Sequence, residues 1–419
     1  MNEIARCFLL LVAYLGCLSA ACPDSCCNAF TKFQIQEDKC ILTKSTQKLT
    51  SKIMQEMGKS DRNVFISPNS VSNILRLLLL ASEGETKREL SHALSSQAMD
   101  IHVASQCLSD RIFDSTGTET LNSTNDFFIS HEYKASPKTQ DYRTKAEALY
   151  RASFYNCNFV NKPDRALKRV NGIVETKSNG LIKELFSPGD INNETKLIIV
   201  NTIAFKSNWL HQFDKTKTSY DVFYVDRVTE QLTEFMEVEG DFASAWVQIP
   251  QGALQTVEVE IVEMPYESAE FSMMAIRYSG LHFGDLADIE SYVADKGILT
   301  VRESLRKSPT AITFPKFRME YDRDLSDIFT PDTGLGIVFS PRADYSKFAD
   351  ALYISNIIHK AVIEVTEEGT VASSASGGFF VQRSFDQRMK FDVPFVFYIY
   401  HSCDGLVLFQ GRYAYPTDE

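Results

Sequence analysis

Few residues in this chain are spaced for catalysis. There is no G-x-S-x-G elbow and no H-E-x-x-H pair, and the seven histidines are scattered. Gly58-Lys59-Ser60 matches the end of a phosphate loop, but Ile53 stands where the first glycine of that loop belongs. Gly334-Leu335-Gly336 opens a dinucleotide fingerprint whose third glycine is replaced by Phe339. The residues therefore argue against an enzyme, and they suggest no cofactor and no metal. The stretch that could take part in chemistry runs from Glu367 to Pro394. Glu367, Glu368 and Gly369 are followed by thirteen residues, Thr370 to Gln382, with neither charge nor proline, and the next residue is Arg383. A guanidinium is read by a buried carboxylate at the base of a protease specificity pocket, so this loop offers the chemistry of a substrate.

Exposed loops are usually kept soluble by charge and punctuated by Pro, Asn or Asp. This one is not, and nothing in it resists becoming a strand. At period two, one face carries Thr370, Ala372, Ser374, Ser376 and Gly378, all small enough to slide under a packed layer. Immediately upstream, Lys360 to Thr366 alternates like a sheet strand. The residues alone leave two readings open, a Gly/Ser-rich linker and a loop that can itself become the next strand.

Glu-Glu-Gly-Thr followed by small residues resembles the hinge of inhibitory serpins, the serine protease inhibitor family. In that family the scissile residue usually lies fourteen past the hinge glycine and about eleven before the proline of a Pro-Phe pair. Gly369 plus fourteen is Arg383, and eleven further is Pro394, followed by Phe395. The resemblance thus implies a reactive loop over 367–393 with a scissile bond between Arg383 and Ser384. Arg388 is the fallback. It also implies a hinge formed by Glu367, Glu368, Gly369, Thr370, Val371, Ala372, Ser373, Ser374, Ala375 and Ser376, with Phe380, Val381, Gln382 and Phe385 shaping specificity. Val371 departs from the family, which commonly has glutamate there, and alternation puts it on the solvent face. The expected function is a suicide-substrate inhibitor of trypsin-like serine proteases, trapped as a covalent acyl complex when the cleaved loop inserts into the main sheet. The alternatives are a non-inhibitory serpin acting as a binding protein or chaperone, and a cross-class inhibitor of cysteine proteases.

The remainder of the chain must position that loop. Its 419 residues, 44% apolar and without a Pro/Gly-rich linker, suggest one large domain, and a net charge of −12 argues against nucleic-acid or anionic-membrane partners. Residues 1–21, with Arg6, an apolar run from Cys7 to Leu18 and small residues after it, read as a secretory signal. Residues 22–40 form a cysteine-rich extension, and 41–419 the serpin domain. The expected location is therefore extracellular. Seven cysteines follow the signal (Cys22, Cys26, Cys27, Cys40, Cys107, Cys157, Cys403), a set that favours disulfides with at least one thiol left over. Asn122 and Asn193 head glycosylation sequons.

The expected fold class is α+β, a serpin fold with a large mixed or antiparallel main sheet, two further sheets and about eight or nine helices. From Asn63 the chain reads as a short strand ending at Pro68, then a buried helix capped by Asn69 or Ser70 and running through Leu80. Lys196 to Phe205 reads as a buried strand with Asn201 in its middle, and 220–317 as many short strands. By resemblance, Ser67, Pro68, Ser70, Asn201 and His359 belong to the shutter behind the main sheet, and Trp209 marks where insertion begins. A neutral His359 bonded to Asn201 could hold the sheet closed. Arg165, Lys168 and Arg169 share a helix face that could hold a sulfated glycan. A monomer is expected.

Overall fold

A computed structural model describes residues 29–96, 101–113, 120–133, 137–178, 180, 182, 184–252, 255–330, 333–350, 352–370 and 387–416, with side chains from residue 41 except 111–113, 120, 122 and 204. Among these residues there are eight α-helices and fifteen strands in two sheets. The first helix, α1 (Ala29–Met57), crosses residue 40, so no helix end marks the boundary expected there. No described helix is long and apolar enough to cross a membrane.

The short strand β1 (Val64–Ile66) leads into α2 (Pro68–Ala81). Here the structure corrects the expected cap: Ser67 is the N-cap, its hydroxyl accepting from the Ser70 N–H, and Pro68 occupies the first turn. Proline has no N–H to satisfy and its fixed φ suits that position. The helix is buried along its whole length except Leu80, which is partly exposed. Even Arg76 is 1% exposed; its guanidinium donates to Asn73, Ser105 and Thr46, and burial lowers its pKa to about 10.

Helices α3 (Gly84–Ala93), α4 (Ile101–Phe113) and α5 (Pro137–Tyr150) and strands β2 (Thr120–Ser130) and β3 (Ser153–Cys157) follow, then α6 (Pro163–Lys177). Asn122 lies inside β2, paired in register with Ala204, rather than ahead of the strand, whereas Asn193 sits exposed on a turn. Strand β4 (Leu197–Asn208) is the buried strand expected around Asn201. Next come β5 (Ser219–Tyr224), β6 (Glu230–Gln251), β7 (Gln255–Pro265), β8 (Phe271–Tyr278), α7 (Leu286–Lys296), α8 (Ile298–Glu303), β9 (Arg306–Pro315) and β10 (Phe317–Asp324). The chain ends with β11 (Asn356–Val365), β12 (Gly369–Thr370), β13 (Gln387–Lys390), β14 (Phe395–His401) and β15 (Val407–Tyr413).

The six-stranded sheet has the order β10-β11-β12-β4-β2-β3. The nine-stranded sheet has the path β1-β15-β14-β8-β7-β6-β9-β13, with β5 on β6. The two further sheets expected are joined in this one because β6, at 22 residues, is a single long strand. Its first part pairs with β5 and β9 and its second with β7, so one run of sequence serves both ends. The largest apolar cluster fills the space between the sheets and packs against α1 and α2, while α6 covers the outer face of the six-stranded sheet through Val170 and Val174 against Phe128, Ile198 and Val200.

One close approach shows how tightly the sheets meet their neighbours. A Cβ on Gly411 of β15 would lie 2.3 Å from the Phe397 ring, in the middle of an aromatic cluster with Phe65 and Phe317. Gly411→Ala should therefore cost about 1–3 kcal/mol through overpacking, read as a lower urea midpoint at unchanged slope; an unaltered midpoint would contradict this packing.

Candidate functional site

The site is the seam between β11 and β4 and the segment at its top. These strands run parallel and pair directly from Asn356↔Ile198 to Val362↔Ala204, with His359↔Asn201 at the centre of the run. Above it they part, and β12 enters between them. Gly369 pairs with Asn208 and Thr370 with Ser207 on one side, and Thr370 with Val365 on the other. The hinge has thus already begun an additional strand, antiparallel to both neighbours.

Gly369 is required by that approach, since a Cβ there would stand 2.1 Å from the Ser207 carbonyl oxygen. The turn before it is tied down at every residue. The Thr366 N–H and hydroxyl both donate to the Gly369 carbonyl at 2.9 Å, and the Trp209 and Phe213 N–H groups donate to the Glu368 and Glu367 carbonyls. The Thr218 hydroxyl donates to Glu367 at 2.8 Å and Lys316 reaches it at 3.4 Å, while Lys215 forms an ion pair with Glu368. Burial alone would raise the Glu367 pKa, but these hydrogen bonds and the lysine hold it below the usual range. Glu367 and Glu368 are buried against partners, as is Thr370.

Trp209 lies beside the hinge. Its ring stacks on Tyr266 at 4.5 Å, its indole N–H donates to the Thr366 carbonyl at 3.0 Å, and the Tyr266 hydroxyl meets the Thr370 hydroxyl at 2.9 Å. Sequence reasoning missed Tyr266, Lys215, Thr218 and Lys316. Their types are ordinary, and only tertiary structure brings them to residue 367.

At the centre of the seam the backbone fixes the chemistry of His359. The Ser67 N–H can only donate, so His359 Nε2 accepts at 3.0 Å, and Nδ1 carries the proton that goes to Asn201 Oδ1 at 3.0 Å. The Asn201 amide in turn donates to the Thr124 carbonyl and Asn125 Oδ1 on β2. Every polar atom of the pair is satisfied in a place with no access to solvent, and burial lowers the His359 pKa to about 3. Ser67 supplies both this donor and the cap of α2; Pro68 and Ser70 lie beside it in the first turn. The predicted shutter residues are therefore brought together.

Val371, Ala372, Ser373, Ser374, Ala375, Ser376, Phe380, Val381, Gln382, Arg383, Ser384 and Phe385 lie outside the described residues. The far end of the loop is described: β13 pairs parallel with β9 from Gln387↔Thr310 to Lys390↔Thr313, with Arg388 exposed. Cys403 is disulfide-bonded. Cys157 is a buried thiol whose pKa burial pushes up to about 11. Arg165, Lys168 and Arg169 are exposed on α6, and Arg169 donates to the Asn156 carbonyl. No metal-binding cluster occurs among the described residues.

The fold has two sheets, and its hinge residues Gly369 and Thr370 stand between β11 and β4 at the top of their seam. Residues 44–416 match the model of the family described as Serpin (serine protease inhibitor), and the chain belongs to that family. It is 29% identical over 364 residues to the leukocyte elastase inhibitor of Bos taurus, covering 84% of this chain and 93% of that protein. It is 28% identical to serpin B6 of Macaca fascicularis, over 90% of this chain and all of that protein. In fold it is similar to mouse protein-Z dependent protease inhibitor (TM-score 0.78, 23% identity, 92% of this chain and 100% of that one) and to uncleaved ovalbumin (TM-score 0.76, 21% identity, 90% and 100%).

Two outcomes follow. His359 has a folded pKa below its unfolded value near 6.5, so its contribution to stability is present above pH 6.5 and is lost as pH falls toward 3. The stability gap between wild type and His359→Gln should change by about 1.4 kcal/mol per pH unit between pH 6 and 4, followed by urea midpoints; a gap independent of pH would refute the neutral ring. Gly369→Ala should expel β12 and shift the Trp209 emission to the red, and an unchanged spectrum would show that the close approach is relieved in some other way.

Proposed function

We propose that this chain is a secreted suicide-substrate inhibitor of trypsin-like serine proteases, cleaved between Arg383 and Ser384. The observation that carries the reading is the pairing of Gly369 and Thr370 with both β11 and β4, which makes the next loop residues a continuation of a strand already begun. The protease serine attacks the Arg383 carbonyl, the bond to the Ser384 nitrogen breaks, and the acyl-enzyme remains attached to the freed end. Residues 371–383 then zip down the seam with Ala372, Ser374, Ser376 and Gly378 under the core. From Gly369 to Arg383 an extended chain spans about 45 Å at about 3.3 Å per residue, which carries the protease far from where it bound. Roughly a dozen new backbone hydrogen bonds at about 1 kcal/mol net each supply a drive on the order of 10 kcal/mol. Distortion of the oxyanion hole under that pull leaves the acyl-enzyme unhydrolysed.

The relatives named as inhibitors support the inhibitory part, and Arg383 supports the trypsin-like part through its need for a carboxylate in the specificity pocket. The apolar leader over 1–21, the disulfide at Cys403 and the exposed sequon at Asn193 support secretion and glycosylation. The exposed cations of α6 are the place for a sulfated glycan, and the functional unit is a monomer.

The test is incubation with trypsin. An SDS-resistant complex is expected, mass spectrometry of the released fragment should begin at Ser384, and Arg383→Leu should abolish trapping. Cleavage without a complex would instead support a non-inhibitory binding protein. The nicked form should also melt well above the intact one, as ten or so added hydrogen bonds require.

A further inference from the structure

Arg412, near the end of β15, is 7% exposed, yet part of its guanidinium is unspent. Nε and Nη2 both donate to the Glu290 carboxylate of α7 at 2.6 Å, and Nη1 makes no hydrogen bond among the described residues. A donor held in a buried group without a partner is costly, so what stands in front of Nη1 matters. Helix α1 stops one residue before Gly58, whose N–H closes the last turn on the Met54 carbonyl at 2.8 Å. A Cβ on Gly58 would lie 2.0 Å from Nη1, so this glycine leaves the space that the guanidinium fills.

Gly58 and Arg412 line a cleft of about 340 Å³ between the end of α1, the β8–α7 loop and the start of β14, a volume in the range of small-ligand sites. Its wall is set by packing. Gly284 of the loop lies against the Tyr278 ring, where a Cβ would stand 2.4 Å away, and the Tyr278 hydroxyl donates to the Asp285 carbonyl at 2.6 Å.

The other lining groups decide what could enter. Arg62 brings a second guanidinium, 5.2 Å over the Tyr415 ring. Against these stand three carboxylates, Asp61, Asp226 and Asp285. Asp61 accepts from the Tyr321 hydroxyl at 2.6 Å, and Asp226 accepts from the Val228 and Thr229 N–H groups of its own turn. Asp285 gives one oxygen to the Ala287 N–H at the start of α7 and keeps the other uncommitted. A bare anion would meet three carboxylates, and a bare cation would meet two guanidiniums and leave Nη1 unpaired. A molecule with both charges suits the lining better than either. Half-buried Phe283 and Pro394 add apolar wall for the rest of it.

We propose that this cleft binds a free α-amino acid with an apolar side chain. Its carboxylate sits on Arg412 Nη1 and Arg62, its ammonium on the uncommitted oxygen of Asp285, and its side chain against Phe283 and Pro394. None of these residues belongs to the seam or the reactive loop, so the inference goes beyond the inhibitory reading and does not depend on it.

The test uses L-phenylalanine as the probe, followed by saturation-transfer NMR on the full chain and titrated to a Kd. Binding at about 1 mM or tighter is expected, the range such small ligands reach. Hydrocinnamate, which lacks the ammonium, and phenethylamine, which lacks the carboxylate, should each bind about tenfold more weakly. Arg412→Gln would leave Glu290 buried and unpaired, so the variants are Arg62→Gln and Phe283→Ser, which keep that pair. Each should weaken binding about fivefold at an unchanged urea midpoint. No saturation transfer at about ten times the expected Kd would overturn the site. An analogue that binds as tightly as phenylalanine would overturn the ligand class, and affinities unchanged in both variants would place binding elsewhere and overturn the cleft.

Discussion

The molecule depends on one constraint: two strands that pair with each other could each pair with something better. Along the seam, β11 and β4 share a single parallel ladder from Asn356 to Val362. A strand placed between them exchanges that ladder for two antiparallel ones, with one new pairing gained for every residue inserted and with the better hydrogen-bond geometry. The hinge shows the exchange at its first step, because Thr370 pairs with both Val365 and Ser207. The arrangement along that line therefore has a capacity for a second ladder that it does not use.

What keeps the capacity unused is a barrier made of polar groups and of chain connectivity. Parting the seam at His359 strips the imidazole of the Asn201 acceptor in a place closed to water, and an unsatisfied buried group costs about 1–3 kcal/mol until the new strand arrives. Outside the sheet, α6 packs on the strands that must separate and reaches Ile358 of β11. Connectivity adds the rest. The near end of the loop is held in the six-stranded sheet at Gly369, and the far end in the nine-stranded sheet, where β13 pairs with β9 and Lys390 is bonded to Asp221. An unbroken chain cannot descend the seam without tearing β13 away, so stability here is a matter of rate. A cut between the two anchors removes the second restraint and leaves the first.

Much of this was legible in the residues, for a physical reason. A strand that is apolar throughout with one asparagine declares a buried polar contact, and Asn201 makes one with His359. Small uncharged residues declare a segment that can pass beneath a core. The tertiary partners were not legible. Tyr266, Lys215, Thr218 and Lys316 converge on the hinge from three different loops and strand ends, and nothing in their local sequence marks them out. Local choices misled in other places. Pro68 moved the cap to Ser67, and β6 reads as several short strands because its neighbours change along its length.

The carboxylates of the hinge bear on where the proposed insertion would start. A loop that had to bury Glu367 and Glu368 during insertion would meet the cost of taking two charges out of water at the moment of greatest need for speed. In this structure they are already buried and matched by Lys215, Lys316 and Thr218, and the turn from Thr366 to Gly369 is closed by its own hydrogen bonds. The chain reverses there, so Thr370 pairs antiparallel with β11 as the start of the second arm of a hairpin whose turn is already formed. Insertion then has no nucleation step left to make. It is propagation from an existing end, one small residue at a time, and this is why an uncharged run begins at Thr370 and not two residues earlier.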